Sequence, residues 1–100
     1  MVTVELTRFH VRPEQEEALL AARPAMLKDF RADRTGFIDA MLVRLPDHQW
    51  LDVVSWRSPE DFAASRAKGP NRPGIEAFFE AIDHLVDAEE GVLVDSETRS

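Results

Sequence analysis

The sequence predicts an α+β sandwich of ferredoxin-like topology, βαββαβ, with one four-stranded antiparallel sheet. Three observations carry that prediction. Residues 50–57 alternate as a strand with Trp50, Asp52, Val54 and Trp56 on one side and Leu51 and Val53 on the other, so both sides are largely apolar. Two stretches of apolar residues, one from Leu19 to Phe30 and one from Ile75 to Val86, recur at helical spacing. The order of elements is strand, helix, strand, strand, helix pair, strand, and right-handed crossovers place both helical connections on one face of the sheet.

Taken in order, residues 2–11 alternate as a strand, with Val2, Val4, Leu6, Arg8 and His10 on one face and Thr3, Glu5, Thr7, Phe9 and Val11 on the other. Arg12-Pro13 ends it. Residues 13–33 read as a helix whose first turn carries Glu14, Glu16 and Glu17, where the helix dipole favours negative charge. Leu19, Leu20, Met26, Leu27 and Phe30 supply its apolar stripe, and Pro24 predicts a kink or break near Ala22. Arg34-Thr35-Gly36 is the stop. Residues 37–45 form the second strand, 46–49 a turn, and 50–57 the third strand.

Ser58 is placed as an N-cap, Pro59 at the first helical position, and Asp61 completes a Ser-x-x-Asp variant of the capping box. Residues 69–74 are a loop by their breakers. Ile75, Phe78, Phe79, Ile82, Leu85 and Val86 mark a third helix, and 91–95 a short final strand. One domain over residues 1–96 is expected, with 97–100 frayed.

The chain has 100 residues, a formal net charge of −7 and no cysteine. An acidic surface disfavours nucleic acid and anionic membranes as partners. The absence of Cys removes disulfides, thiolate nucleophiles and thiolate metal ligands. No apolar run approaches the ~20 residues of a membrane span, which makes a cytoplasmic protein the expectation. Helices cover only one face of a sheet that is apolar on both, so a second copy of the chain is expected against the other face, as a homodimer joined sheet to sheet.

Four stretches resemble one family. They are Arg12-Pro13-Glu14 at the end of the first strand, the Gly36-Phe37 entry to the second, the segment from Val54 to Phe62, and the closing helix and strand. The pattern Trp56-x-Ser58-x-Glu60-x-Phe62 is the most specific. On these residues the chain resembles the antibiotic biosynthesis monooxygenase family, of the dimeric α/β-barrel superfamily. The resemblance implies a small monooxygenase that acts on an aromatic, quinol-like substrate with dioxygen and no cofactor. In that family's quinone-forming oxygenases an Asn precedes the strand-end Trp by four residues, a Tyr follows it by six, and an Arg comes from the last helix. Here Trp56 is kept, Asp52 replaces the Asn, Phe62 replaces the Tyr, and Arg72 is the basic residue nearest to the Arg position.

Two further readings follow from the same resemblance. One is a non-catalytic ligand-binding or structural dimer, favoured by the altered Tyr and Arg positions. The other is haem degradation, which fits less well: the matching positions are Thr7, Ser65 and about Ile75, and none matches in type.

In the oxygenase reading Asp52 is the proton acceptor, its carboxylate partly desolvated under Trp56 and Trp50. The structural alternative pairs Asp52 with Arg8 or Arg44. Trp56, Trp50, Phe62, Phe78 and Thr7 are candidate walls of a substrate cleft, and the aromatic residues serve equally well as core, together with Met26 and Met41. The loop at 69–74 is a connector or a lid that points Arg72 inward. His10 is a candidate acid or base, His48 a turn residue, and His84 is placed in the last turn of its helix. The three histidines are far apart in sequence with no ligand spacing between them, so no metal site is expected.

Overall fold

Two central strands, β1 (Thr3–His10) and β3 (Gln49–Trp56), and two edge strands, β2 (Phe37–Arg44) and β4 (His84–Val92), make the sheet in this computed structural model. They lie in the order β2-β3-β1-β4, with every pair antiparallel. The helices are α1 (Glu16–Asp33), preceded by a 3-10 turn at Pro13–Gln15, α2 (Pro59–Lys68) and α3 (Pro73–Glu80). This is the ferredoxin-like arrangement. The structure describes residues 1–97, so the fraying expected at 97–100 falls, beyond Glu97, outside the described residues. No helix among them is long and apolar enough to cross a membrane.

Register decides which side chains enter the core. β1 and β3 pair Thr3 with Trp56, Glu5 with Val54, Thr7 with Asp52 and Phe9 with Trp50. Cross-strand partners share a face. Trp50, Asp52, Val54 and Trp56 are all buried, so this is the face the helices cover. Met26, Phe30, Ile75 and Phe78 descend on it from α1 and α3. Leu6, Leu51 and Val53 occupy the other face with Val43 and Met41, the last of which is 62% exposed. Met41 therefore belongs to the open face and not to the helix-to-sheet packing expected of it.

The local chemistry explains the entries and stops. Ser58 Oγ accepts from the Asp61 amide at 3.1 Å and Pro59 opens α2, as predicted from the capping pattern. Gly36 takes φ +81° at the start of β2, and a Cβ there would collide with the Asp61 side chain. Gly74 lets α3 approach α1 closely, because a Cβ there would lie 2.5 Å from the Ala25 carbonyl oxygen. Its amide donates to Asp29 Oδ2 at 2.8 Å.

Three expectations need correction. Pro24 does not break α1, which runs through it without interruption; packing of Leu19, Met26 and Phe30 outweighs the one hydrogen bond Pro cannot donate. The last helix stops at Glu80, so Leu85 and Val86 are not its continuation. The final strand is His84–Val92 and not 91–95. A helical stripe through Leu85 and Val86 loses to the free edge of β1, whose amides and carbonyls need a partner. β4 supplies it along its whole length, with an irregularity between Arg8 and Phe9.

Candidate functional site

Between the helices and the covered face lies a cavity of about 450 Å³, within the ordinary size of a small-molecule site. Phe9, Phe30, Phe62, Phe78 and Val54 give it apolar walls, and Glu5, Thr7, Asp52, Arg34, Ser65 and Arg66 supply polar groups. Of the candidate catalytic and substrate-binding residues, the cavity gathers Thr7, Asp52, Phe62 and Phe78. Trp56 and Trp50 are buried but are not on its wall.

Asp52 is held by a residue the sequence reading did not consider. Arg23 Nη1 donates to Asp52 Oδ2 at 2.6 Å and Nη2 donates to Oδ1 at 2.9 Å, with both side chains only 12% exposed. The partner is thus neither Arg8 nor Arg44: Arg8 donates to Gln49, and Arg44 lies over the Trp50 ring at 4.7 Å. Arg23 falls on the stripe of α1 that carries Leu19, Met26 and Phe30, at spacings of four, three and four. A charged residue in an apolar register was the signal that could have found it.

Glu5 is the second omission. It projects to the covered face between Thr3 and Thr7, beside the Val54 and Asp52 positions of β3. Trp56 Nε1 donates to Glu5 Oε1 at 3.0 Å. Burial pushes the Glu5 carboxyl above its ordinary value, and the nearby Asp52 charge adds to the rise; the Trp56 hydrogen bond and the Arg66 charge oppose it. Trp56 therefore stands behind the site, stacked near Phe62 with ring centroids 6.2 Å apart, and orients a carboxyl on its wall. Trp50 has no comparable role. Its Nε1 has no hydrogen-bond partner, the one such buried side-chain nitrogen or oxygen among the described residues.

Arg72 does not point inward. It binds Asp33 Oδ1 at 2.9 Å on the surface, and its side chain is 44% exposed. Arg34 and Arg66 are the arginines that reach the cavity, and Arg34 is almost wholly buried. Its Nε donates to Ser65 Oγ at 2.8 Å, Nη1 to Asp33 Oδ2 and Asn71 Oδ1, and Nη2 to the Gly69 carbonyl at 2.6 Å. The loop at 69–72 is tied to the end of α1 by this knot and serves as a connector. Asn71, Arg72 and Lys68 donate to Asp33 as well. The Asn71 hydrogen bond leads in holding the Asp33 carboxyl well below the usual carboxylate range.

The histidines are corrected too. His84 opens β4 and is not in a helix, and the β1–β4 register sets it opposite His10. Their rings stack at 5.1 Å, and His48, exposed in the β2–β3 turn, meets the His10 ring edge-on at 6.3 Å. Sequence separation concealed a cluster that strand pairing assembles. It lies outside the cavity wall at His10, whereas Asp83 and His84 line the cavity.

Comparison with known proteins agrees with this architecture. An oxygenase from Streptomyces nogalater, SnoaB, named as cofactor-independent, has 23% identity and a TM-score of 0.58, over 97% of this chain and 95% of that one. A Bordetella bronchiseptica protein assigned to the antibiotic biosynthesis monooxygenases has a TM-score of 0.77 at 16% identity, covering 93% and 97%. Rv0793 from Mycobacterium tuberculosis has 19% identity and a TM-score of 0.68, over 98% and 100%. At these identities the likeness is one of fold. No curated protein matches the chain. The family described as antibiotic biosynthesis monooxygenase matches residues 1–70, most of the chain and the whole of β1 through α2, and the chain therefore belongs to the antibiotic biosynthesis monooxygenase family.

Proposed function

We propose that this protein is a small monooxygenase that converts an electron-rich aromatic, of the anthrone or phenol type, to a quinone with dioxygen, the substrate anion itself supplying the electrons. The observation that carries the proposal is Glu5, a carboxyl with a raised pKa on the wall of an aromatic-lined cavity. Glu5 takes the proton that Asp52 was expected to take, since both oxygens of Asp52 are engaged by Arg23. An anthrone held between Phe62 and Phe78 gives that proton to Glu5, and the resulting anion passes one electron to dioxygen. The substrate radical and superoxide then join through a C–O bond, Glu5 returns its proton to the peroxide anion, and loss of water from the hydroperoxide leaves the new carbonyl. Arg66 is the guanidinium on the cavity wall that acts on Glu5, and its charge favours an anion formed there. Family membership and the likeness to SnoaB support a reaction without metal or flavin.

The test is oxygen uptake with a panel of anthrones and phenols. Glu5→Gln is expected to lower kcat by roughly 10²–10⁴, the usual contribution of a positioned base. Oxidation undiminished in both Glu5→Gln and Asp52→Ala would exclude this site. A second reading, an aromatic-binding protein without turnover, is favoured by the closed Arg23–Asp52 pair; saturable substrate binding with no oxygen consumed would select it.

The homodimer belongs to the same proposal. Leu6, Val53, Leu51, Val43 and Met41 leave the open face apolar, and a standard interface of about 1,600 Å² would cover it. Light scattering is expected to give twice the chain mass, and Leu6→Glu to give the single mass.

A further inference from the structure

We infer that His10, Asp83 and His84 form a binding site for a divalent late-transition-metal ion of the zinc type, at the end of the sheet where β1 meets β4. One ligand atom from each residue lies within 4.8 Å of the other two. His10 Nδ1 stands 3.1 Å from Asp83 Oδ2, and His84 Nδ1 stands 2.8 Å from the same oxygen. Ligand atoms bound to one tetrahedral zinc ion at about 2.1 Å lie roughly 3.4 Å apart, so the 3.1 Å and 2.8 Å pairs would open by about 0.3 and 0.6 Å to admit the ion. Two imidazoles and one carboxylate suit zinc, nickel or copper, and not magnesium or calcium, which prefer oxygen alone.

The arrangement is built and not incidental to one flexible loop. Strand pairing sets His10 opposite His84, and the Asp83 amide donates to the His10 carbonyl at 2.9 Å, which anchors the Asp83 backbone beside the pair. The rings stack at 5.1 Å with an interplanar angle of 19°, so both Nδ1 atoms face one carboxylate oxygen. Arg12 Nε occupies the other oxygen, Asp83 Oδ1, at 3.2 Å. Arg12 is the one arginine or lysine paired with Asp83 among the described residues; with its side chain 64% exposed it can turn away, or it can orient the carboxylate as an outer partner. His48 is held by Glu16 at 3.7 Å and lies beyond His10, so it is a neighbour and not a ligand.

Three protein ligands leave at least one position of the ion open. Asp83 and His84 also line the cavity, so the cluster adjoins it. The inference does not rest on the oxygenase reading, since it concerns binding alone.

The experiment is calorimetric titration of the untagged full chain with zinc chloride and nickel chloride, repeated with cobalt chloride to follow the visible bands of a coordinated ion. One ion per chain is expected, with protons released because imidazole must be neutral to bind. His10→Gln, His84→Gln and Asp83→Asn are each expected to weaken binding by on the order of 10–100-fold or more, the loss seen even when an outer partner of a metal is removed. His48→Gln should leave the affinity unchanged. The ion should raise the melting temperature of the parent protein and not that of His84→Gln, which shows that the variant folds while reporting the loss. Failure to bind a stoichiometric ion, or binding that survives both His10→Gln and His84→Gln, would overturn the inference.

Discussion

Glu5 on β1 and Asp33 at the end of α1 are both partly buried carboxyl groups, and their surroundings drive them in opposite directions. Asp33 sits among Asn71, Arg72, Lys68 and Arg34, and these donors keep it ionised. Glu5 sits deeper, with one neutral donor from Trp56 and a like charge at Asp52, and burial raises it. Donor supply against desolvation separates a structural carboxylate from a chemically poised one. A carboxylate with donors on both oxygens holds a loop in place. A carboxyl left short of donors in a cavity is available for proton transfer.

The largest effect that would break this comparison is expected from Arg34→Ala. It removes the guanidinium shared by Asp33, Ser65, Asn71 and the Gly69 carbonyl, and a loss of about 3–5 kcal/mol follows from breaking a buried ionic network. Urea unfolding of the variant measures it; a loss below about 1 kcal/mol, the range of a surface pair, would mean the knot is ornamental. Arg23→Ala is expected to cost about 3 kcal/mol, since it strands Asp52 on the cavity wall. The double variant Arg23→Met, Asp52→Leu should recover most of that, because an apolar pair of similar volume removes both desolvation penalties.

The pH dependence sharpens the contrast with a smaller effect. Asp33 has a lowered folded value, so its contribution is present above the ordinary aspartate range near pH 3.9 and is lost as pH falls through the folded value. Glu5 has a raised folded value. Its ionisation penalises the fold above that value, and the penalty disappears as pH falls below the ordinary glutamate range near 4.3. Glu5→Gln should therefore stabilise the protein at neutral pH and remove that part of the slope, whereas Asp33→Asn should destabilise it. Stability measured across pH 3–8, a window chosen to span both ordinary values, distinguishes the two. The smallest effect is that of Arg72→Ala, expected within about 1 kcal/mol because its ion pair with Asp33 is half exposed.

Much of the architecture was legible where one kind of signal acted alone. The Ser58-Pro59 helix start and the β2–β3 hairpin follow from local chemistry, and the structure has both. Leu85 and Val86 misled because their spacing from Ile75 and Phe78 fits a helix, while the unpaired edge of β1, a long-range demand, makes them strand. Asp52 was legible as a polar residue on an apolar side, but its partner was not: Arg23 lies 29 residues away and reaches it only through the packing of α1 on the sheet. Glu5 was in plain view in the alternation of β1. Its significance needed the helices in place, because solvent exclusion is a property of the assembled layer. The histidine cluster was invisible for the same reason, since 73 residues separate His10 from Asp83.

The hydrogen bond from Trp56 to Glu5 has an optical consequence. The chain has two tryptophans, and one of them is wired to the carboxyl on the cavity wall while the other has an indole nitrogen with no acceptor at all. Protonation of Glu5, or a guest that displaces its carboxylate, must alter the surroundings of the Trp56 ring and leave Trp50 untouched. Intrinsic emission from a Trp50→Phe protein would then follow occupancy of the cavity directly, so that the molecule carries its own dye for ligand screening.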